Sequence, residues 1–307
     1  MNFSTVRWVQ SLGTYFKKMI KKILLWVLAL VLALAAMIYQ RSTGPTYEFK
    51  GYLEHNGEKY KYELLRSHET TGGAVISLPQ MDGADYSATL HYKRYQTEDK
   101  ITILPFEANG AHTLTAPLPV QPAAGKMEYY ITGSIDGKAF SIPEQGEKDI
   151  VLRYKDPVSD FILVPHVTMM IIVIIFGIRA GLGAIFNDGT MRKWTFVAFV
   201  SMTVGGMILG PLVQKSAFGE YWTGFPYGGD FTDNKMLIMW LAWALALAVV
   251  GFKAKKKEGV SRMAIIAAAA VMTVVYLIPH SMGGSTLDYE QVDRGIDPKE
   301  AIKTGAE

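Results

Sequence analysis

Two histidines near the ends of long apolar segments are the residues with the most specific chemistry in this sequence. His166 follows a proline a little over one turn into one segment, and His280 follows a proline at the end of another. An ionisable side chain within such a segment is a candidate functional residue. If both segments cross a membrane, the paired imidazoles predict axial ligation of a haem b. Water and headgroups also satisfy histidines at helix ends, so an interfacial role stays open.

A second candidate site is the stretch Phe218–Lys235 within the predicted loop 214–235, where aromatic residues alternate with glycines and three acids. Carboxylates such as those of Glu220, Asp230 and Asp233 are ligands for divalent cations, although their spacing matches no known metal loop. The stretch also predicts an aromatic belt at the headgroups, with Asp233 or Asn234 capping the next helix, or a lid over a site. The aromatic residues of this outer loop are Tyr221, Trp222, Phe225 and Tyr227.

The sequence lacks the motifs of common enzyme classes. It has no cysteine, which excludes disulfides, thiolate nucleophiles and cysteine metal sites. It has no Gly-rich phosphate loop, no His-Glu-x-x-His motif and no Gly-x-Ser-x-Gly elbow. A net charge of +3 gives no reason to expect nucleic acid as a partner. These observations favour a non-enzymatic protein.

Five stretches of the chain are almost uninterrupted apolar runs. Runs of about 16 to 20 residues match a hydrocarbon core of about 30 Å, and a soluble helix is rarely apolar on every face. We therefore predict about five transmembrane helices in a lipid bilayer, of which the last four form an up-and-down bundle over 160–280. The predicted spans are 23–40, 161–179, 194–213, 236–252 and 263–280.

Basic residues predict the orientation of these spans. The leader 1–22 has five lysines and arginines and no acid, and further basic clusters surround Arg192 and Lys255. Alternate crossing brings these clusters to one side, which the positive-inside rule identifies as cytoplasmic. The N-terminus is then cytoplasmic, while the outer loop and the polar tail 281–307 are extracytoplasmic. The first span is predicted to be a signal anchor, with cleavage at residues 33–35 as the alternative.

Three further features predict details of the local structure. Arg179 interrupts the second span near its cytoplasmic end, where we expect its long side chain to snorkel to the headgroups. Gly-x-x-x-Gly motifs at 177–181 and 206–210 predict close approach of neighbouring helices. In the tail, the Asp-Pro pair that opens 297–303 predicts the start of a short helix.

Residues 44–157 change from continuous to alternating apolar residues. His55-Asn56-Gly57 lies between two alternating segments and predicts a tight hairpin turn. Further turn signals follow at spacings of about ten residues, so the region predicts seven to nine short strands without a helix. This pattern is typical of an all-β antiparallel sandwich.

Three segments of this region resemble the strands of immunoglobulin-like or fibronectin-type modules. They are Leu90–Tyr95, Leu118-Pro119 and Gly125–Ile131. The resemblance covers about a third of the chain and implies a module that binds or spaces other molecules, without implying a reaction. As a whole, the chain resembles uncharacterised bacterial inner-membrane proteins that join an immunoglobulin-like ectodomain to a small helical bundle.

These observations favour one function and leave two others open. The favoured hypothesis is an envelope protein that displays the sandwich for protein contact, as an accessory subunit of a larger complex. The first alternative is a membrane redox subunit that binds haem or a metal through His166 and His280. The second is a small transporter or channel, against which the lack of an internal repeat and of acids well inside the spans weighs.

Overall fold

The computed structural model describes residues 3–110, 112–253, 258–279 and 284–303. The chain divides into two compact units, each assembled from three separate stretches. The helical unit consists of Met1–Thr43, Asp160–Val213 and Asp233–His280. The β unit consists of Gly44–Ser159, Gln214–Thr232 and Ser281–Glu307.

Within these described residues, five helical segments are long and apolar enough to cross a membrane, and they coincide with the five predicted spans. Hydrocarbon offers no partner to backbone polar groups, so each span satisfies its own as a helix. A multi-pass protein in a lipid bilayer follows from this. The segments are α1 (Phe3–Ser42), α2 (Asp160–Phe186), α3 (Met191–Met202) continued by a π-helical segment (Thr203–Leu209) and α4 (Gly210–Phe218), α5 (Phe231–Val250), and α6 (Gly259–Leu277).

The helix ends differ in detail from the prediction. The basic leader is continuous with the first span in α1, and the third span continues to Phe218. Gly219 follows with φ +91°, a conformation that commonly ends a helix. At the start of α5, Asp230 Oδ1 accepts a hydrogen bond of 2.8 Å from the backbone of Thr232. The prediction that Asp233 or Asn234 caps this helix was therefore wrong, because the helix begins earlier.

Glycines allow close packing within the helical unit, as the two motifs predict. A Cβ atom at Gly181 would lie 2.8 Å from the Cβ of Ala269 in α6. The face of Gly177 is similarly filled by Met272, and that of Gly206 by Met236. Larger residues at these positions would push the helices apart, which supports a packing role for these glycines.

Arg179 is buried, so the prediction that it snorkels to the headgroups was wrong. Its side chain is 1% exposed and forms an ion pair with Asp188 in the loop that follows α2. The guanidinium also lies 5.4 Å from the ring centre of Trp26 in α1. Burial alone would raise the pKa of Asp188, but hydrogen bonds from Arg179 and Thr190 lower it. The loop folds back over the helix end, which the apolar pattern could not reveal.

Basic residues from two other helices bind the C-terminal end of α2. Lys21 donates a hydrogen bond of 2.7 Å to the carbonyl of Phe186. Arg262 donates to the carbonyls of Ala184 and Ile185 at 2.6 and 2.8 Å. Cations satisfy the unpaired carbonyls and the negative dipole at a helix C-terminus. Basic residues of α1 and α6 therefore meet at one end of the helical unit, as alternate crossing requires.

The β unit contains the all-β region that the alternating pattern predicts. The hairpin turn is confirmed, because Asn56 and Gly57 have φ of +51° and +81° between two paired strands. Two short strands, β3 and β7, were not predicted. The strands are β1 (Phe49–His55), β2 (Glu58–Leu64), β3 (Ser67–Glu69), β4 (Ala74–Pro79), β5 (Tyr86–Arg94), β6 (Thr102–Pro105), β7 (Glu107–Ala108), β8 (Thr113–Leu118), β9 (Lys126–Ile135), β10 (Lys138–Ile142) and β11 (Ile150–Lys155).

These strands form two larger sheets and a separate hairpin. One sheet has the order β3-β11-β9-β5-β6, with β10 paired to the later part of β9, and the other has the order β4-β8-β7. All pairs are antiparallel except β3 with β11, which is parallel. Buried residues from both sheets share one core, including Ile76, Leu90, Leu118 and Ile131. The hairpin β1–β2 adds Leu53 and Leu64 to this core.

The tail folds differently from the prediction. It contains β12 (Thr286–Leu287), α7 (Tyr289–Asp293) and β13 (Ile302–Lys303). The helix begins after Asp288, whose side chain accepts hydrogen bonds from two backbone N–H groups of the first turn. The predicted helix at 297–303 was wrong, because that segment forms a turn and then pairs with β12.

The β unit is assembled from three segments that are distant in sequence. Residues 44–159, 214–232 and 281–307 are separated in sequence by long apolar helices, yet they belong to one compact unit.

Candidate functional site

A groove of about 870 Å³ opens on the β unit between the β1–β2 hairpin and the β9–β10 hairpin. Ligand sites in proteins usually have volumes of about 300–1,000 Å³. Its lining combines aromatic and aliphatic side chains with hydroxyl, amide, carboxylate and lysine groups. The aromatic residues are Phe49, Tyr52, Tyr62, Tyr130 and Phe140.

Two glycines shape the aromatic wall. The Tyr62 ring occupies the position that a Cβ of Gly51 would take, and it stacks with Phe49 at 6.5 Å between ring centres. On the other side, a Cβ at Gly133 would lie 2.6 Å from the Phe140 ring. Rings can therefore lie directly against the strand backbones. The alternation of the hairpin then leaves Tyr52 on its exposed side.

Strands with unused edges form two sides of the groove. Among the described strands, β1 pairs only with β2, and β10 pairs only with β9. Each therefore has one edge whose backbone N–H and C=O groups meet no neighbouring strand. Both strands supply groove residues, among them Lys50 and Ser141. The groove thus offers backbone hydrogen-bonding groups as well as aromatic surface.

The charge of the groove is negative at one end. Glu144 and Glu147 are exposed lining residues whose carboxylates have no hydrogen-bond or ion-pair partner in the part of the chain that the structure describes. Burial, and then the negative charges of these two carboxylates, raise the pKa of the Tyr62 phenol. Lys50 is already paired, at 3.4 Å to Glu63 and at 3.6 Å to a second glutamate. The carboxylates are therefore available to a cationic ligand.

His166 is half-buried in α2 and contacts the π-helical segment. Its Nδ1 donates a hydrogen bond of 2.8 Å to the carbonyl of Gly205, which also accepts from the backbone N–H of Gly210. Because a carbonyl only accepts, this bond puts the proton on Nδ1 and leaves the lone pair on Nε2. That is the tautomer with which many histidines bind metals. π-helical turns also occur frequently at functional sites.

His280, the other predicted haem ligand, lies outside the described residues. Just before it, the carbonyls of Ile278 and Pro279 accept hydrogen bonds of 3.3 and 2.8 Å from Lys235 Nζ. Lys235 is buried in the first half of α5. The ammonium group of Lys235 thus satisfies carbonyl groups at the C-terminal end of α6. This role of Lys235 was not predicted.

The three acids of the outer stretch have different surroundings. Glu220 is exposed, whereas Asp230 and Asp233 are buried at the start of α5. Within the described residues, no group of three His, Asp or Glu side chains could hold a metal ion. Asp230 instead acts as a helix cap.

The outer loop is folded by its own hydrogen bonds. Asp230 donates from its backbone N–H to the carbonyl of Thr223 at 3.0 Å, and Trp222 Nε1 donates to the carbonyl of Phe225 at 3.0 Å. The side chains of Tyr221, Phe225 and Tyr227 are exposed. Exposed rings beside spans suit an aromatic belt.

No family model matches this sequence, and no curated protein matches it. The function must therefore be argued from its own residues. The groove was not predicted as a site, although two of its lining residues, Phe49 and Tyr62, lie in the alternating segments that flank the predicted hairpin turn. The sequence contains no signal for the site, because that hairpin and Glu144 are far apart in the chain. Only the fold brings them together.

Proposed function

We propose that this chain is a non-enzymatic membrane protein that displays its β unit outside the cell membrane for contact with a protein partner. In this proposal it is an accessory subunit of a larger envelope complex. The observation that carries it is the aromatic groove with the unpaired carboxylates Glu144 and Glu147. Aromatic surface with a few charged groups is a common composition for protein-binding sites.

The proposed orientation puts the N-terminus in the cytoplasm and the C-terminus outside, in a bacterial inner membrane. Support comes from Lys21 and Arg262, which meet at one end of the helical unit, the end expected to face the cytoplasm. We also propose an immunoglobulin-like class for the β unit. Two sheets that share one core, with a parallel pair at one edge, support this class.

Cysteine crosslinking tests the proposed function, because a chain without cysteine allows one reactive position at a time. Tyr52→Cys and Ile103→Cys place thiols on two parts of the β unit with similar exposure, 59% and 63% for the native side chains. Lys253→Cys is the control beyond the end of α5. We expect one protein to co-purify with the untreated chain and to crosslink to β-unit positions but not to the control. Recovery of the lone chain under all conditions would overturn the proposal.

A haem-binding redox subunit is the second candidate function. The hydrogen bond from His166 to Gly205 favours it, because it orients Nε2 as a free ligand nitrogen. An absorption spectrum of the protein, expressed with haem supplied, tests this candidate. It requires a Soret band that His166→Ala removes and that His112→Ala, at an exposed histidine of the β unit, leaves unchanged. No band, or a band insensitive to His166→Ala, would end it.

A further inference from the structure

The unused edges of β1 and β10 are the first observation that defines what the groove can bind. An edge strand presents a row of unpaired N–H and C=O groups, and an extended peptide can satisfy them by adding as a further strand. At about 3.3 Å per residue, the five residues of β10 offer an edge about 17 Å long. That length suits a guest segment of about five residues.

The wall of the groove is the second observation. Side chains of an extended segment alternate between its two faces. On one face, apolar side chains of the guest would contact Phe49, Tyr62 and Phe140. In strand addition, the main-chain hydrogen bonds provide affinity, whereas contacts of alternate side chains with the wall provide specificity. Aromatic rings in the wall add buried apolar area to those contacts.

The charge of the groove is the third observation. Glu144 and Glu147 have no partner among the described residues, while the nearby Lys50 is paired twice. A basic side chain on the bound segment would form ion pairs with these carboxylates, whereas an acidic side chain would be repelled. Exposed pairs contribute modestly, so charge decides selectivity more than total affinity.

We infer that the groove binds an extended segment of a partner polypeptide in which apolar residues alternate with lysine or arginine, added as a strand along the unused edges of β1 and β10. This inference rests on the proposed function, since it specifies the chemistry of the partner. A glycan is the rival occupant, because aromatic rings and carboxylates also bind sugars. The strand edges favour a peptide, since their evenly spaced backbone groups match another backbone.

A random peptide display library is the probe that tests this inference, with the full chain held in neutral detergent. Three proteins are panned in parallel, namely the native chain, Glu144→Gln with Glu147→Gln, and the matched control Glu98→Gln with Glu107→Gln. We expect the native chain and the control to enrich peptides that alternate apolar and basic residues. The groove variant should bind the best such peptide about five- to tenfold more weakly.

Backbone methylation of that peptide supplies the second measurement. Methyl groups on alternate backbone nitrogens that face the strand edge remove the donors, and they should abolish binding, while methylation of the other nitrogens should not. The inference is overturned if panning enriches no peptide or enriches acidic peptides, or if the groove variant binds the best peptide as tightly as the native chain. It is also overturned if methylation of the edge-facing nitrogens leaves binding unchanged, or if the protein binds a soluble oligosaccharide in place of peptides. If cells yield no partner but these peptides bind, the proposed function fails and the groove chemistry stands. If cells yield a partner but these peptides do not bind, the proposed function stands and the groove chemistry fails.

Discussion

The guanidinium of Arg94 binds the carboxylate of Asp293 through hydrogen bonds of 2.7 and 2.9 Å, although 199 residues separate them in sequence. Four membrane spans lie between the two residues. An even number of crossings returns a chain to the side from which it left, so this ion pair is compatible only with an even count. The same guanidinium holds Asp99 at 2.6 and 2.9 Å. Arg94, the last residue of β5, therefore binds the tail to the strands of the β unit.

Removal of this guanidinium should loosen the tail without unfolding the strands β1–β11. In Arg94→Ala, both Asp99 and Asp293 lose their bidentate partner. Tyr289 remains buried, with its hydroxyl bonded to the backbone of Lys126, and should keep the tail attached. We expect tail amides to exchange about fivefold faster, as measured by hydrogen-exchange mass spectrometry. Arg294→Ala, which removes an exposed pair, should change little; equal effects of the two substitutions would contradict the role of Arg94.

Acid should also release the tail. A hydrogen bond from Lys303, followed by one from Gln291, lowers the pKa of Asp288 to about 2. A carboxylate with a depressed pKa stabilises the fold above its unfolded value of about 3.9, and the contribution disappears as pH falls through about 2. Exchange protection of the Asp288 N–H, which donates to Ala301 at 2.8 Å, should therefore fall between about pH 4 and pH 2 after correction for intrinsic rates. In Lys303→Gln, the pKa of Asp288 is depressed less, so the loss should be smaller and should be complete at a higher pH. An unchanged profile would show that this ion pair does not control the tail.

The buried ion pair of the helical unit should be sensitive to the loss of one partner. Asp188→Asn leaves the Arg179 charge buried without a counter-ion, and we expect it to cost about 3–5 kcal/mol in free energy of unfolding. Arg179→Met together with Asp188→Asn should cost less, because no isolated charge remains. Denaturant titration in mixed micelles measures both. Glu258→Gln, at the more exposed pair with Arg192, is the control and should cost about 1 kcal/mol or less. A double variant as unstable as Asp188→Asn would refute this account.

Cysteine labelling should reveal the same orientation for the outer loop and the tail. Glu220→Cys and Lys299→Cys introduce exposed thiols in two segments of the β unit, and Lys253→Cys introduces one beyond the end of α5. A maleimide that cannot cross membranes should label the first two in intact spheroplasts. The third should be labelled only after permeabilisation. Labelling of Lys253→Cys in intact spheroplasts would reverse the proposed orientation.

Local patterns predicted the parts of this fold that local physics controls. Asn56 and Gly57 adopt the positive φ values of a tight hairpin, and few other residue pairs do so readily. The spans were predictable for the same kind of reason, since hydrocarbon accepts only long apolar helices. Asp230 was missed as a cap because the start of α5 lies several residues before the apolar run begins. The short helix of the tail was misplaced because pairing of its last residues with β12 outweighed the Asp-Pro signal.

The candidate site was less predictable than the fold. His166 was identified as unusual from its place in an apolar segment, but its partner Gly205 lies 39 residues later in another helix. The groove depends on residues of β1, β2, β9 and β10 that meet only after the sheets form. Its unpaired edges belong to sheet topology, which alternation along single strands does not contain.

By itself, the amino-acid sequence determined the five membrane helices, the all-β character of the region between the first two, and the turns of that region. Hydrophobicity and backbone preference act over a few residues, so these features can be read locally. The tertiary structure alone decided that Arg179 is buried against Asp188, that the tail binds Arg94, and that aromatic rings and carboxylates from distant strands line one groove. Such contacts join residues far apart in the chain, and they form only because burial of a common core brings those residues together.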